Sequence, residues 1–180
     1  MNETNLYTVT IPPMKKTLVA LSGILDKLAS HAKGKQLDWH PAGMQEDALL
    51  QSRLISDQFP FVRQVQVACD NAKGAAARLA EVEMPKYEDN EKTVAELKAR
   101  IDKTVAFLDT IKPEQVIGKE GVKITLTYWG GKSMTGFEYV TNYLIPNFYF
   151  HVTTAYAILR KNGVQLGKSD YTGELPLKDL

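Results

Sequence analysis

Apolar residues recur at alternating steps of three and four along four stretches of the chain, the spacing of amphipathic α-helices. The first stretch begins at Pro12-Pro13, a favoured start for a helix, and runs to about Lys33. The second begins near Asp57, carries Pro60 in its first turn and runs to about Glu81. Four such stretches without a wider strand pattern predict a four-helix bundle.

The third and fourth helices each open with a capping box, in which a Thr and a Glu three residues later satisfy free backbone amides. The third opens at Thr93 and its apolar stripe continues to Ile111. The fourth opens at Thr135 and ends at Gly163, a residue type that commonly stops helices. Pro146 lies inside the fourth helix and should kink or locally break it, because proline lacks an N–H and its ring clashes with the preceding turn.

A β-hairpin is predicted between the third and fourth helices. Apolar and polar residues alternate from Val122 to Tyr128, which places Val122 and Tyr128 on the same strand face. A Gly-Gly pair follows, and then a short polar return to Met134. We therefore predict an all-α fold, a four-helix bundle with a small hairpin between helices 3 and 4, as a single domain over residues 1–180.

Two polar residues interrupt the apolar stripe of the fourth helix. The predicted inward face includes Val140, Leu144, Asn147, His151 and Ala155. Asn147 and His151 are four residues apart, so they share one helix face and point into whatever that helix packs against. A polar pair on a core face is costly unless it is hydrogen-bonded or used. This pair therefore locates the candidate site.

Composition and charge narrow the classes of function. The chain has 180 residues, and its 22 basic residues are spread along it with a net charge of +1, so no basic stripe indicates a nucleic-acid partner. The single Cys69 excludes an internal disulfide and a Cys-rich zinc framework, and it fits a reducing compartment. The N-terminus lacks a signal-peptide pattern, and the longest apolar run, around Leu18 to Leu25, is far short of the ~20 residues that span a membrane. We expect a cytoplasmic protein.

Three segments resemble a known superfamily. They are Arg53 to Pro60, Arg63 to Asp70, and Pro146 to Gly163. With the order of helices and hairpin, they are similar to the DinB/YfiT-like superfamily of four-helix bundles, and within it to a bacterial family of unknown function. Members of the superfamily include metal-dependent thiol transferases and hydrolases. The resemblance covers nearly the whole chain.

The resemblance implies a metal site made of three histidines, one on the second helix and two on the fourth helix at i and i+4. His151 precedes Arg160 by nine residues and Gly163 by twelve, as the second histidine of that pair does in the superfamily. The first position then falls on Asn147, and the second-helix position falls on Gln66. Only one of three ligands is a histidine here, and amides are weak ligands for zinc or nickel.

The residues leave several roles open for His151. It is a core histidine satisfied by Asn147 or Asp70, a contact for a bound ligand, or a metal ligand. A buried imidazole would tend to stay neutral. In the functional interpretation, Gln66 faces a pocket and Asp70 orients a ring nitrogen of the histidine. In the alternative, Gln66 and Asp70 lie at the bundle surface.

Other candidate residues carry weaker signals. Cys69 lies on the inward stripe of the second helix, where a free cysteine most often acts as a small hydrophobe rather than a nucleophile. Arg63, Arg78 and Arg160 are either an anion-binding rim or separate solvated charges. His40 lies on a loop that would fold over one end of the bundle. The aromatic run before His151 favours a pocket or a homodimer surface.

Three classes of function follow, and whether the protein is an enzyme stays open. The first is a small-molecule-binding or stress-related bundle on a degenerate metal site, with Asn147, His151, Gln66 and Asp70 as ligand-binding residues and no cofactor. The second is a transferase or hydrolase that uses His151 and a divalent metal such as zinc or nickel. The third is a structural homodimer without a working site. None of them calls for a membrane or a nucleic acid.

Overall fold

A computed structural model describes residues 4–38 and 41–178. It confirms the helical bundle and the small hairpin. His40 and its predicted loop role lie outside the described residues. The elements, in chain order, are α1 (Leu6–Lys35), α2 (Met44–Leu50), α3 (Phe61–Ala80), α4 (Val94–Thr110), α5 (Pro113–Val116), β1 (Lys123–Thr125), a 3₁₀ turn (Thr127–Trp129), β2 (Ser133–Thr135), α6 (Gly136–Glu138), a π-helix (Tyr139–Leu144), α7 (Ile145–Lys161) and α8 (Lys168–Thr172).

The bundle consists of α1, α3, α4 and the continuous helix formed by α6, the π-helix and α7. α3 packs most extensively against α7, while α4 packs against both α1 and α3, and α8 packs against α1. Buried aliphatic and aromatic side chains from all four helices form one core. Burial of this apolar stripe, rather than helix propensity alone, stabilises each helix.

α1 begins earlier than predicted, at Leu6 rather than at Pro12. Asn5 and Thr8 form a capping box that satisfies the first free amides. The helix then continues through Pro12 and Pro13. Proline removes two backbone hydrogen bonds there, but the turns before it bury Leu6 and other residues in the core, which offsets that loss.

α3 begins later than predicted, because Pro60 is its N-cap and not a first-turn residue. The amide of Phe61 donates to the carbonyl of Ser52 at 2.8 Å, which fixes the entry of the chain into the helix. The helix ends at Glu81, which adopts the left-handed conformation at φ 53° and acts as the C-cap.

The hairpin is shorter than the alternation predicted. β1 pairs antiparallel with β2 over three residues, with Ile124 opposite Met134. The chain then leaves the strand conformation and makes a 3₁₀ turn before Gly130 and Gly131, which have φ of 58° and 81°. Ile124 is buried, but Tyr128 is 69% exposed, so the predicted single buried face ends before Tyr128.

The last bundle helix confirms the predicted capping box at Thr135 and the stop near Gly163. The predicted disturbance at Pro146 takes the form of six π-helical residues directly before α7. A wider π turn relieves the clash of a proline ring with the preceding turn and adds a residue to the local repeat. On the inward face of α7, Phe148 is fully buried, whereas Asn147 lies at the edge of that face and is only half-buried.

Three short helices were not predicted. α2 and α5 lie in segments that the sequence indicated as connections, and α8 lies in the tail. They have seven, four and five residues, which is too short for a clear apolar repeat. Within the described residues, no helix is both long and apolar enough to span a membrane.

Candidate functional site

His151 of α7 is hydrogen-bonded to Gln64 of α3. The Nδ1 atom of His151 lies 2.7 Å from Oε1 of Gln64, and both side chains are buried. The sequence had suggested Asn147 or Asp70 as the partner of this histidine, and neither takes that place. The bond links the two helices that pack most closely in the bundle.

The surroundings of Gln64 decide which nitrogen of His151 carries the proton. Gln64 Nε2 donates to the carbonyl of Phe59 at 3.0 Å, so its Oε1 faces the imidazole as an acceptor. Nδ1 of His151 must then be the N–H donor, and the lone pair stays on Nε2. Burial lowers the pKa of His151, and the nearby Arg63 guanidinium lowers it further, so the ring is held neutral.

Asn147 lies one turn before His151 but bonds to a different residue of α3. Its Nδ2 donates to Oδ1 of Asn71 at 3.1 Å. The Nδ2 of Asn71 is buried and has no hydrogen-bond partner among the described residues. A buried donor without an acceptor costs free energy, and such groups often mark a site for water or a ligand.

Gln66 and Asp70, the other two predicted ligand-binding residues, lie with α4 rather than with His151. Gln66 is buried and donates from Nε2 to Oε2 of Glu91 at 2.8 Å. Asp70 accepts from Nη2 of the buried Arg100 at 2.7 Å, so the carboxylate does not orient the imidazole. The structure therefore separates the four predicted residues into two pairs.

A buried ionic cluster surrounds Arg100. Its guanidinium also pairs with Asp89 and Glu91, each at 2.9 Å, and both carboxylates come from the segment before α4. Lys73 pairs with Asp70 at 3.1 Å. These contacts tie α3, α4 and their connection together, and each charge has an opposite partner, as buried charges require.

A polar cavity of about 290 Å³ lies beside this cluster, between α3, the π-helix and the hairpin region. This volume is just below the range of about 300–1,000 Å³ that is usual for small-molecule sites. Asp70, Asn71 and Asn147 all contribute to its wall, whereas His151 does not line it. The lining residues are Arg63, Val67, Asp70, Asn71, Lys73, Arg78, Met84, Tyr87, Leu126, Tyr128, Tyr139, Tyr143 and Asn147.

The π-helix supplies the aromatic wall of the polar cavity. Tyr139 and Tyr143 are stacked, with ring centroids 5.7 Å apart, and the hydroxyls of Tyr143 and Tyr128 are hydrogen-bonded to each other. Burial raises the pKa of Tyr139 and of Tyr143, so both phenols keep their protons. π-helical segments are rare and frequently occur at functional sites, and this one faces a cavity.

Arg78 places a cation against the same wall. Its guanidinium lies beside Tyr139 and over Gly74, in space that a side chain at position 74 would fill. The room beside Gly74 is taken by the side chain one turn later in the same helix.

The groups around His151 do not fit the metal centre that the resemblance implies. His151 is the only one of the three positions occupied by imidazole. The other two carry the amides Asn147 and Gln66, which bond to Asn71 and Glu91. Among residues 4–38 and 41–178, no group of three or more His, Cys, Asp and Glu side chains is arranged to hold a metal ion. One imidazole with two amides is a poor set of ligands for zinc or nickel, whereas hydrogen bonds satisfy all three side chains.

Cys69 is fully buried on the core side of α3. Burial raises the pKa of the Cys69 thiol to about 12, and the hydrogen bond with Thr104 offsets this only in part. The thiol therefore stays protonated near neutral pH and acts as a small hydrophobe, as the sequence favoured.

Sequence reasoning missed two kinds of residue in the polar cavity. Asn71 and the tyrosines of the π-helix gave no signal, because the helical repeat places them on the flanks of their stripes. Of the three arginines that the sequence offers as an anion-binding rim, Arg63 and Arg78 line the cavity, whereas Arg160 does not. The sequence signal that could have indicated Arg78 is Gly74, one turn before it, because a glycine there leaves room for the guanidinium to fold back.

Two comparisons with known proteins match this chain. The model of a family described as a domain of unknown function, DUF1993, matches residues 6–172. The crystal structure of a DinB family member protein from Shewanella denitrificans is similar, with 42% sequence identity and a TM-score of 0.88. That match covers 97% of this chain and 96% of the other. No curated protein matches.

The fold and these similarities define a DinB-like four-helix bundle. More specifically, the chain belongs to the DUF1993 family.

Proposed function

We propose that the protein binds a small molecule in the polar cavity and that it does so without a catalytic metal. The observation that carries this proposal is the buried Nδ2 of Asn71, a donor in the cavity wall with no acceptor among the described residues. A ligand oxygen at that position would satisfy it. The Nδ2 of Asn147 donates to Oδ1 of Asn71. This bond fixes the orientation of the Asn71 amide, so its Nδ2 stays available as a donor in the cavity wall.

The four residues predicted from the sequence have different roles in this proposal. Asn147 lines the cavity and contacts the ligand. Asp70 lines the cavity but is held by Arg100 and Lys73, and Gln66 supports the wall through its bond to Glu91. His151 positions α7 against α3 through Gln64 and does not contact the ligand. In this proposal, the position that the resemblance assigns to a metal ligand makes a structural hydrogen bond instead.

The test is a ligand-observed NMR screen of small polar molecules against the full chain. Wild type is compared with Asn147→Leu, which removes the amide from the cavity, and with Asn142→Leu, a matched change at an exposed position of the same helix. We expect ligands whose signals are lost with Asn147→Leu and kept with Asn142→Leu. An absence of ligands, or ligands indifferent to Asn147→Leu, would contradict the proposal.

We also propose that the protein forms a homodimer through the exposed surface of α3 and α7. Phe59, directly before α3, and Phe150 of α7 are both about half exposed, at 51% and 52%. The carbonyl of Phe59 accepts from Gln64, and the ring of Phe150 lies edge-on to His151. Exposed aromatic side chains are typical of interfaces. Light scattering should give twice the 20.1 kDa of one chain, and Phe150→Ser should shift the mass toward one chain. A monomeric wild type would contradict this.

A further inference from the structure

We infer that the polar cavity takes the carboxylate group of a small organic acid, and that Arg78 receives its negative charge. This inference rests on the proposed function, because it names the class of ligand for the same cavity. Neither the fold nor the superfamily's metal site implies it. Three features of the cavity wall support this inference: its balance of charges, its neutral hydrogen-bond donors and its apolar surface.

The charge balance of the cavity leaves one cation, Arg78, without a carboxylate partner among the described residues. The other cations of the wall, Arg63 and Lys73, are each paired with a carboxylate. Arg78 forms no ion pair with any carboxylate among the described residues. A half-buried guanidinium without a counter-ion attracts an anion, and its planar fork matches a carboxylate. One excess charge suits a singly charged ligand.

Neutral donors stand in the same wall. Tyr128 and Tyr143 share one hydrogen bond between their two hydroxyls, so one phenolic proton is left to donate to a third group. The unpartnered Nδ2 of Asn71 is another donor. Together with the guanidinium, these groups form a set of donors for an oxyanion, while a ligand cation would meet the charge of Arg78.

The rest of the wall indicates the body of the ligand. Val67, Met84 and Leu126 bring apolar surface to the cavity, so the part of the ligand beyond the carboxylate is apolar. Asp70 also lines the cavity, and its charge disfavours a doubly charged anion such as a phosphate monoester. The geometry therefore favours a small aliphatic or aromatic acid over a phosphate.

The test is a ¹H–¹⁵N NMR titration of the full chain with three probes: benzoate, its neutral isostere benzamide, and inorganic phosphate. We expect benzoate to shift the side-chain amide signals of Asn71 and Asn147. Benzamide should bind about tenfold more weakly or worse, because it lacks the charge that Arg78 compensates. Inorganic phosphate should bind more weakly than benzoate.

Variants assign the effect to one residue. Arg78→Met should weaken benzoate binding about tenfold or more and leave benzamide unchanged. Arg160→Met, the same change at an exposed arginine outside the cavity, should leave both unchanged. Gly74→Ala gives a second route, because it displaces the Arg78 guanidinium without removing it, and it should weaken benzoate binding in the same direction.

The outcomes separate this inference from the proposed function. Benzamide binding as tightly as benzoate, or benzoate binding undiminished in Arg78→Met and Gly74→Ala, would overturn the inference and leave the cavity as a ligand site. If inorganic phosphate bound more tightly than benzoate, the assignment of the ligand as a carboxylate would be overturned and the cavity would be a site for phosphate groups. No shift of the Asn71 and Asn147 signals with any probe would overturn the inference, and the ligand screen described above then decides the proposed function.

Discussion

The guanidinium of Arg78 occupies the space that a side chain at Gly74 would need. A Cβ atom built at Gly74 would collide with Nη1 of Arg78 and lie 3.5 Å from Sδ of Met84. Glycine inside a helix costs about 1 kcal/mol relative to alanine. This glycine therefore lowers the stability of α3 and, in return, lets a cation fold back against the tyrosines of the polar cavity.

Gly74→Ala should leave the fold as stable as wild type or stabilise it by up to about 1 kcal/mol. The atoms it meets belong to the flexible ends of two side chains, so they can move aside. Chemical denaturation measures the change. A matched control is Gly23→Ala in α1, where a Cβ meets nothing, and it should be stabilising without an effect on the cavity. Strong destabilisation by Gly74→Ala would show that Arg78 cannot leave its place.

His151→Ala should destabilise the protein by about 1–3 kcal/mol, because it leaves a cavity and removes the partner of the buried Gln64. Equilibrium unfolding in urea measures the loss. His31→Ala, at a half-buried histidine without a hydrogen bond of this kind, should cost less. If His151→Ala kept wild-type stability, the bond to Gln64 would not be the main role of this histidine.

The stability of the protein should fall in mildly acidic solution partly because of His151. Its pKa is lowered in the folded state by burial and by Arg63, so the unfolded chain binds a proton below about pH 6.5 that the folded chain resists. Protons bound preferentially by the unfolded state reduce the free energy of unfolding as pH falls. We expect the stability difference between wild type and His151→Gln to shrink from about pH 7 to about pH 5. A constant difference would mean that the pKa is not lowered.

Arg100→Met should destabilise the protein by about 2–4 kcal/mol, since three carboxylates lose their shared cation. The loss is below that of a fully buried ion pair because Asp70 and Asp89 retain contact with water. Thermal and urea unfolding measure it. Lys98→Met removes the exposed ion pair with Asp26 and should cost at most about 1 kcal/mol. Equal losses in the two variants would contradict a special role for Arg100.

The bundle could be predicted from the sequence because its signals are local. Thr93 and Thr135 begin helices through contacts three residues away, and the apolar repeats lead directly to the core. The site was harder to predict. A step of four back from His151 reaches Asn147 and a step of three reaches Phe148, and both steps fit a helical repeat. The structure buries Phe148 and leaves Asn147 half-buried, a choice that the repeat alone does not make.

The partners of the predicted site residues depend on contacts between distant segments. Asp70 bonds to Arg100, which is 30 residues away, and Gln66 bonds to Glu91 in a connection without an apolar repeat. Periodicity reports which face of a helix is apolar, but it does not report which charged side chain of a loop meets that face. The separation of Asp70 from His151 therefore required the structure.

Native mass spectrometry of untagged protein purified without chelators tests the central claim most directly. Wild type should carry the mass of a small organic molecule, and Asn71→Leu should lose it while remaining folded, because the leucine removes the unpartnered donor and fills the cavity wall. A stoichiometric zinc or nickel ion that disappears in His151→Ala would contradict the account. So would an organic ligand retained in full by Asn71→Leu.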